Sequence, residues 1–230
     1  MIRRKPPWAA QVLLVAGKDL AIELATGEIV TTSGFFAVLV AVIASLAFFS
    51  GQEAAPRVAP GVIWVAVAFA SILALGRTWQ RERDDGALTG MLATPTARSA
   101  IFAGKAIGVA VFITLVEIVV VPVTALLFSV NLAKVGGGLA LLCAAATPGI
   151  AAAGTLFGAM TVRTRARNLV LASVLFPLLA PSLLAAVAGT RELLGGAPVS
   201  ELWDYVELMG VFGAVFTAGG LGLFDLLIEG

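Results

Sequence analysis

A chain of 230 residues that is 60% hydrophobic and only 13% charged is not built as a soluble domain, where roughly 45 to 50% apolar is usual; its mean hydropathy of +1.02 is that of an integral membrane protein. The formal charge of +1, with basic residues at the ends of apolar runs instead of in one patch, gives no footing for nucleic acid. No histidine and a single cysteine, Cys143, exclude histidine-based metal sites, histidine general bases, histidine haem ligation and an internal disulfide.

The basic start MIRRKPPW leads into AAQVLLVAGKDLAIEL, which Lys18, Asp19 and Glu23 interrupt and which lacks a small-residue cleavage site, so it reads as retained sequence and not as a signal peptide. Trp8, Val12, Val15, Ala16, Leu20 and Leu24 recur at helical spacing, while Gln11, Lys18 and Glu23 fall off that stripe. The pattern predicts a helix lying in the membrane interface, the plainer alternative being a polar lead into the first span.

Apolar runs long enough to cross about 30 Å of hydrocarbon then recur six times. They fall near 33–50, 59–76, 106–130, 136–160, 168–188 and 206–228, a single all-α membrane domain over 1–230. With the N-terminus inside, Arg3, Arg4, Lys5, Lys18, Arg77, Arg81, Arg83, Arg98, Lys105, Arg163, Arg165 and Arg167 lie on one side, against Arg57, Lys134 and Arg191 on the other. That asymmetry predicts cytoplasmic termini. The segment 189–205, ending in Trp203 and Tyr205, is then an outer loop with an aromatic membrane edge. Pro122, Pro148, Pro177 and Pro181 fall within spans and mark expected helix kinks, and the glycines at 136–138, 219, 220 and 222 read as close helix contacts.

The polar stretch from Arg77 to Lys105 carries five of the fifteen basic residues. Within it Gly86 ends the charged run Arg81-Glu82-Arg83-Asp84-Asp85, Leu88, Met91 and Leu92 form an apolar stripe, and Pro95 forces Thr94 out of helical geometry. A helix of about two turns is expected, with Asp85 as its N-cap and Thr96 capping the next span. Its stripe either packs on the chain's own spans and the membrane surface, or docks a soluble partner with Glu82, Arg83 and Asp84 around it.

Glu117, in GVAVFITLVEIVVVP, is an intramembrane acid; ionised and unpaired at mid-membrane it would cost at least about 2.5 kcal/mol, so an interior polar contact, at a seam between subunits or within the chain, is expected, the alternative being a role in a substrate path. No G-x-x-x-x-G-K-[ST], HExxH, GxSxG or CxxC is present, so ATP hydrolysis and other catalysis belong on another chain.

Glu82, Asp84-Asp85-Gly86, Leu88, Leu92 and Pro95 resemble the cytoplasmic loop of ABC-2-type permeases. Ala59-Pro60-Gly61-Val62-Ile63-Trp64-Val65-Ala66, Lys18-Asp19-Leu20 with Glu23-Leu24, and Thr147-Pro148-Gly149 look more specifically like the CcmB family of haem exporter proteins, over essentially the whole chain. The departure is Thr26-Gly27, which is expected to end the interfacial helix early.

The resemblance implies a permease subunit in a bacterial inner membrane, paired with a second copy. A separate CcmA-like ATPase would grip the 86–94 helix, and CcmC-like and CcmD-like membrane subunits and a periplasmic haem chaperone would complete the system. ATP would sit on the partner and haem at the level of the complex. The candidate axial ligands Met91, Met160, Met209, Cys143 and Tyr205 lie in no haem-binding motif, and no resident cofactor is expected. Two other functions share these features: an ABC-2 exporter of a lipid, drug or other hydrophobic solute, and a scaffold that assembles haem-handling partners without transport.

Overall fold

The computed structural model describes residues 6–48, 55–84, 86–161 and 167–229. Its helices are α1 (Trp8–Thr26), α2 (Glu28–Phe48), α3 (Ala55–Asp84), α4 (Ala87–Leu92), α5 (Arg98–Leu127), α6 (Leu132–Thr161), α7 (Arg167–Gly195) and α8 (Trp203–Glu229), with a 3-10 turn at Val199–Leu202 before the last. Six segments are long and apolar enough to cross a membrane: Glu28–Phe48, Pro56–Asp84, Arg98–Leu127, Leu132–Met160, Ser173–Gly195 and Val199–Leu226.

The helices run past the apolar runs that define them. α3 continues to Asp84 instead of stopping near Gly76, and α5 starts at Arg98, so the connection between them shrinks to residues 85–97 around α4. The charged turns remain helical because each extension has a face to bury: Trp79 and Glu82 on α3, Ile101, Phe102 and Lys105 on α5. The expected outer loop at 189–205 likewise contracts, since α7 continues to Gly195 and buries Leu193, and Leu202 of the 3-10 turn is also buried.

The four prolines expected to interrupt spans all lie inside continuous helices, and Pro60 does the same in α3. Each removes one backbone donor, which neighbouring helices and local adjustment tolerate in a bundle.

α6 and α3 form the centre of the bundle, each with 67% of its apolar window buried, whereas α8 at 17% lies at the periphery. Trp64, Ile113, Leu142, Ile150, Leu179 and Met209 draw five helices into one core. The Trp64 indole N–H donates to the Thr190 hydroxyl at 2.8 Å, and that hydroxyl donates to the Ala186 carbonyl at 2.7 Å, so the polar edge of a buried Trp is satisfied between α3 and α7.

Of the glycines expected at close contacts, Gly138 faces Leu193 and Gly220 faces Phe102, but Gly136, Gly137, Gly219 and Gly222 face open space. Phe35, Leu46, Leu126, Leu184 and Val215 are exposed around the outside, where lipid would solvate them.

Candidate functional site

One end of the bundle gathers the charge. The start of α1 lies against the start of α5, where the Trp8 indole N–H donates to Ser99 Oγ at 3.1 Å. Asp225, near the end of α8, pairs with Arg98 at 3.5 Å. The end of α3 and the start of α2 meet there too, through Arg77 and Arg81, which reach Glu28 at 2.5 and 3.1 Å.

α1 runs alongside the first third of α5. A Cβ on Gly104 would lie 2.6 Å from Val15 Cβ and 2.8 Å from the Val12 carbonyl oxygen, so only glycine lets the two backbones approach this closely. One turn further on, Gly108 leaves space for Asp19. The pair is a small-x-x-x-small spacing, a sequence signal for this contact that the hydropathy pattern does not carry.

Between these glycines Lys105 is 1% exposed and donates to both Asp19 oxygens, at 3.0 and 2.7 Å, and to Glu82 Oε1. Lys18 reaches the same Glu82 oxygen at 2.5 Å and Asp19 at 3.3 Å. Two ammonium groups and two carboxylates thus form a neutral cluster joining α1, α3 and α5. Burial alone would lower the Lys18 pKa, but its hydrogen bond to Glu82 and the nearby Asp19 carboxylate hold it above the ordinary lysine value.

The middle of the expected α1 stripe, Val12, Val15 and Ala16, is buried against the bundle, and Gln11, Asp19 and Glu23, which fall off the stripe, are buried as well; Leu24 at the end of the stripe is 90% exposed, and Leu13 and Leu14 lie outward with it. Water favours leucine inward, but a helix at a membrane has lipid on its outer side and receives no hydrophobic gain from turning its leucines toward protein. Gln11, Asp19 and Glu23 therefore share the buried side with Val12, Val15 and Ala16, where their partners wait. The Gln11 side-chain oxygen accepts the Ala97 N–H at 2.7 Å, so α5 is capped from α1 and not by Thr96, whose hydroxyl meets that of Thr94 at 2.8 Å.

Gly27 ends α1 as expected, in the left-handed region at φ 62°, and its N–H donates to the Glu23 carbonyl. The Glu23 side chain then accepts the Val30 N–H at 2.8 Å, satisfying a free donor in the first turn of α2. The corner between α1 and α2 is fixed from both sides.

α4 has six residues, and Gly86 at φ 63° occupies the N-cap position expected for Asp85, which lies outside the described residues. Gly86 supplies no side-chain cap, and at the other end the Thr94 hydroxyl donates to the Met91 carbonyl at 2.6 Å. Met91 and Leu92 turn inward, partly buried against Val15, Trp79, Phe102, Leu156 and Phe224; the Leu88 side chain lies outside the described residues.

Glu82 is also inward, whereas Arg83 and Asp84 pair with each other at 3.5 Å on the surface. The outer face consists of Thr89, Gly90, Ala93, Thr94 and Pro95. The loop expected to dock a partner is thus anchored by its apolar residues and presents its small polar ones.

The other sequence-derived positions are spread through the bundle. Glu117 is buried and accepts a hydrogen bond from the Thr147 hydroxyl at 2.9 Å, linking α5 to α6 next to Pro148. It lines a groove of about 460 Å³ together with Cys143 and Pro122. Among the candidate haem ligands, Met91 packs from α4 against the bundle, Met160 is exposed, Met209 is in the central core and Tyr205 lies at that core's edge. Among the described residues no group of three or more His, Cys, Asp or Glu is placed to hold a metal ion.

Six apolar helices with a charge-clustered end and a short loop helix define a multi-pass, all-α membrane protein. The chain belongs to the CcmB family: the family model for CcmB protein matches residues 10–219. It is 27% identical over 179 residues to Heme exporter protein B of Bradyrhizobium diazoefficiens, covering 78% of this chain and 80% of that one. The proteins of the same name from Pseudomonas aeruginosa and Haemophilus influenzae are each 25% identical, over 193 and 189 residues, with 83% and 80% of this chain and 86% and 85% of theirs covered.

Proposed function

We propose that this chain is the membrane permease subunit of a haem-export ABC system serving cytochrome c maturation, and that α4 with the ends of α3 and α5 receives motion from a separate ATPase subunit. The observation that carries the reading is how the loop helix is held. α4 sits on half-buried Met91 and Leu92, which pack against Trp79 of α3, and Glu82 in the next turn of α3 is clamped by Lys18 and Lys105. A force on the outer face of α4 therefore reaches α1 and α5 through packed atoms and short ionic contacts, not through a slack loop.

The family and the relatives' names support the haem-export setting, and the charge asymmetry supports orientation. Lys18, Arg77, Arg81, Arg83, Arg98 and Lys105 lie at the α4 end, and Arg57, Lys134 and Arg191 lie at the opposite ends of α3, α6 and α7. By the positive-inside rule the α4 end is cytoplasmic, in a bacterial inner membrane, with both termini on that side.

The ATPase would be CcmA-like, with CcmC-like and CcmD-like membrane subunits, a second permease copy and a periplasmic haem chaperone completing the complex. ATP is bound and hydrolysed on the partner. Haem is cargo of the complex, handed on as haem or as haem-loaded chaperone, and this chain holds no resident cofactor.

The test places charge on the outer face only. Thr89→Asp with Ala93→Asp is expected to abolish co-purification of the ATPase subunit while leaving the chain's own thermal stability within about 0.5 kcal/mol. Leu92→Asp, by contrast, is expected to destabilise the chain itself. An ATPase that stays bound to the outer-face double variant overturns the docking reading and favours a scaffold that assembles its partners without ATP-driven motion.

A further inference from the structure

The groove between α5 and α6 is chemically unlike the charged end. Its wall is apolar, formed by Ile118, Val121, Leu139 and their neighbours, and it encloses about 460 Å³, within the range of small-molecule sites. Glu117 and Cys143 line it, and among the described residues no lysine or arginine does. A Cβ added at Gly136 on its wall would meet nothing within 4 Å, so the space is continuous to the α6 backbone.

The Glu117 hydrogen bond from Thr147 is a neutral contact and supplies no counter-charge. A carboxylate inside a membrane favours any guest that brings a positive charge and needs little water of its own. A neutral acyl chain would fill the volume but leave the acid unanswered. An anionic guest would be repelled, and haem, with its two propionates, is of that kind.

We propose that this groove binds a lipophilic organic cation, with the Glu117 carboxylate as its counter-ion and the α5 and α6 side chains enclosing its apolar body. The site does not depend on the haem-export reading, because the guest has the opposite charge.

Cys143 makes the groove directly observable, being the chain's single cysteine. The intact chain, with its co-purifying subunits in mild detergent, is treated with a small maleimide, and labelling of the Cys143 peptide is followed by mass spectrometry. Tetraphenylphosphonium and tetraphenylborate, nearly identical in shape and opposite in charge, are compared at matched concentrations.

The phosphonium is expected to slow labelling by about tenfold or more at saturation, the scale of a charge-assisted contact, and the borate to leave it unchanged. Glu117→Gln should remove the phosphonium effect. Gly136→Val, which fills the groove without touching the acid, should weaken it. Equal protection by both ions would mean a merely apolar groove and overturn the proposal, as would protection surviving in both variants. Labelling indifferent to the phosphonium, or a thiol that does not react at all, overturns it too. If Glu117→Gln fails to fold, the two ions on the unmodified chain and Gly136→Val still decide.

Discussion

The chain buries acids in two places and treats them oppositely. At the charged end Asp19 and Glu82 share Lys18 and Lys105, four ionisable groups from three helices with no net charge. Within α5, Glu117 has the Thr147 hydroxyl, and among the described residues no basic one lines its groove. The first arrangement holds helices together and loses much when one member is removed. The second is a polar group supported by one neutral contact, and it can change partners cheaply. Structure and stability are thus concentrated at one end, and chemical availability in the groove.

The sharpest way to break this comparison is Lys105→Met. It leaves two buried carboxylates to share Lys18, and uncompensated buried charge typically costs about 3–5 kcal/mol, so a marked fall in the melting temperature of the detergent-solubilised chain is expected. Adding Asp19→Asn and Glu82→Gln should recover a large part of that loss, since neutral groups need no counter-ion. If the single variant is as stable as the parent, the cluster is solvated and does not clamp α4.

Gly104→Leu comes next. Its side chain would overlap Val15 and the Val12 carbonyl, and overpacking of this kind costs about 1–3 kcal/mol when helices must move apart. The expected readout is specific to α1: faster proteolysis or hydrogen exchange in 8–26, with the six spans unaffected. Uniform loosening of every helix would show that α1 is not an independent strut on α5.

How far the sequence foretold this arrangement follows from which forces it records. Turn chemistry is local, so Gly27 and Gly86 are both found at the helix boundaries where they were expected. That six spans exist is equally legible, because length and hydropathy alone select them.

The facing of α1 was legible only in part: Val12, Val15 and Ala16 of its apolar stripe are buried, but so are Gln11, Asp19 and Glu23 beside it, while Leu24 lies outward. A helical wheel assumes that leucine goes inward and acids outward, an assumption that belongs to water. The identity of Lys105's partners depends on α1 lying against α5, a contact 86 residues apart in sequence. Gly104 and Gly108 advertised that some helix would come close, though not which one. Likewise Glu117 announced itself as an acid in need of a contact, but Thr147 becomes its donor only once α5 and α6 are packed.

Smaller effects test the other side of the comparison. Thr147→Val keeps the shape at 147 and removes the hydroxyl donor; intramembrane hydrogen bonds average about 0.6 kcal/mol, so a small fall in thermal stability is expected. A loss several times larger would mean that Glu117 is as structural as Glu82.

Glu117→Gln should have the smallest effect of all. The amide oxygen still accepts from Thr147, the side-chain volume is nearly unchanged, and the cost of placing an ionisable acid in an apolar wall disappears. Stability within about 0.5 kcal/mol of the parent, or slightly above it, is expected from thermal unfolding in detergent. The same carboxyl-to-amide change at Glu82 removes one of the two charges facing Lys18 and Lys105 and should destabilise the chain. Measured side by side, the two Glu→Gln variants separate an acid that holds the fold from one that the fold merely accommodates, and equal losses from both would erase that distinction.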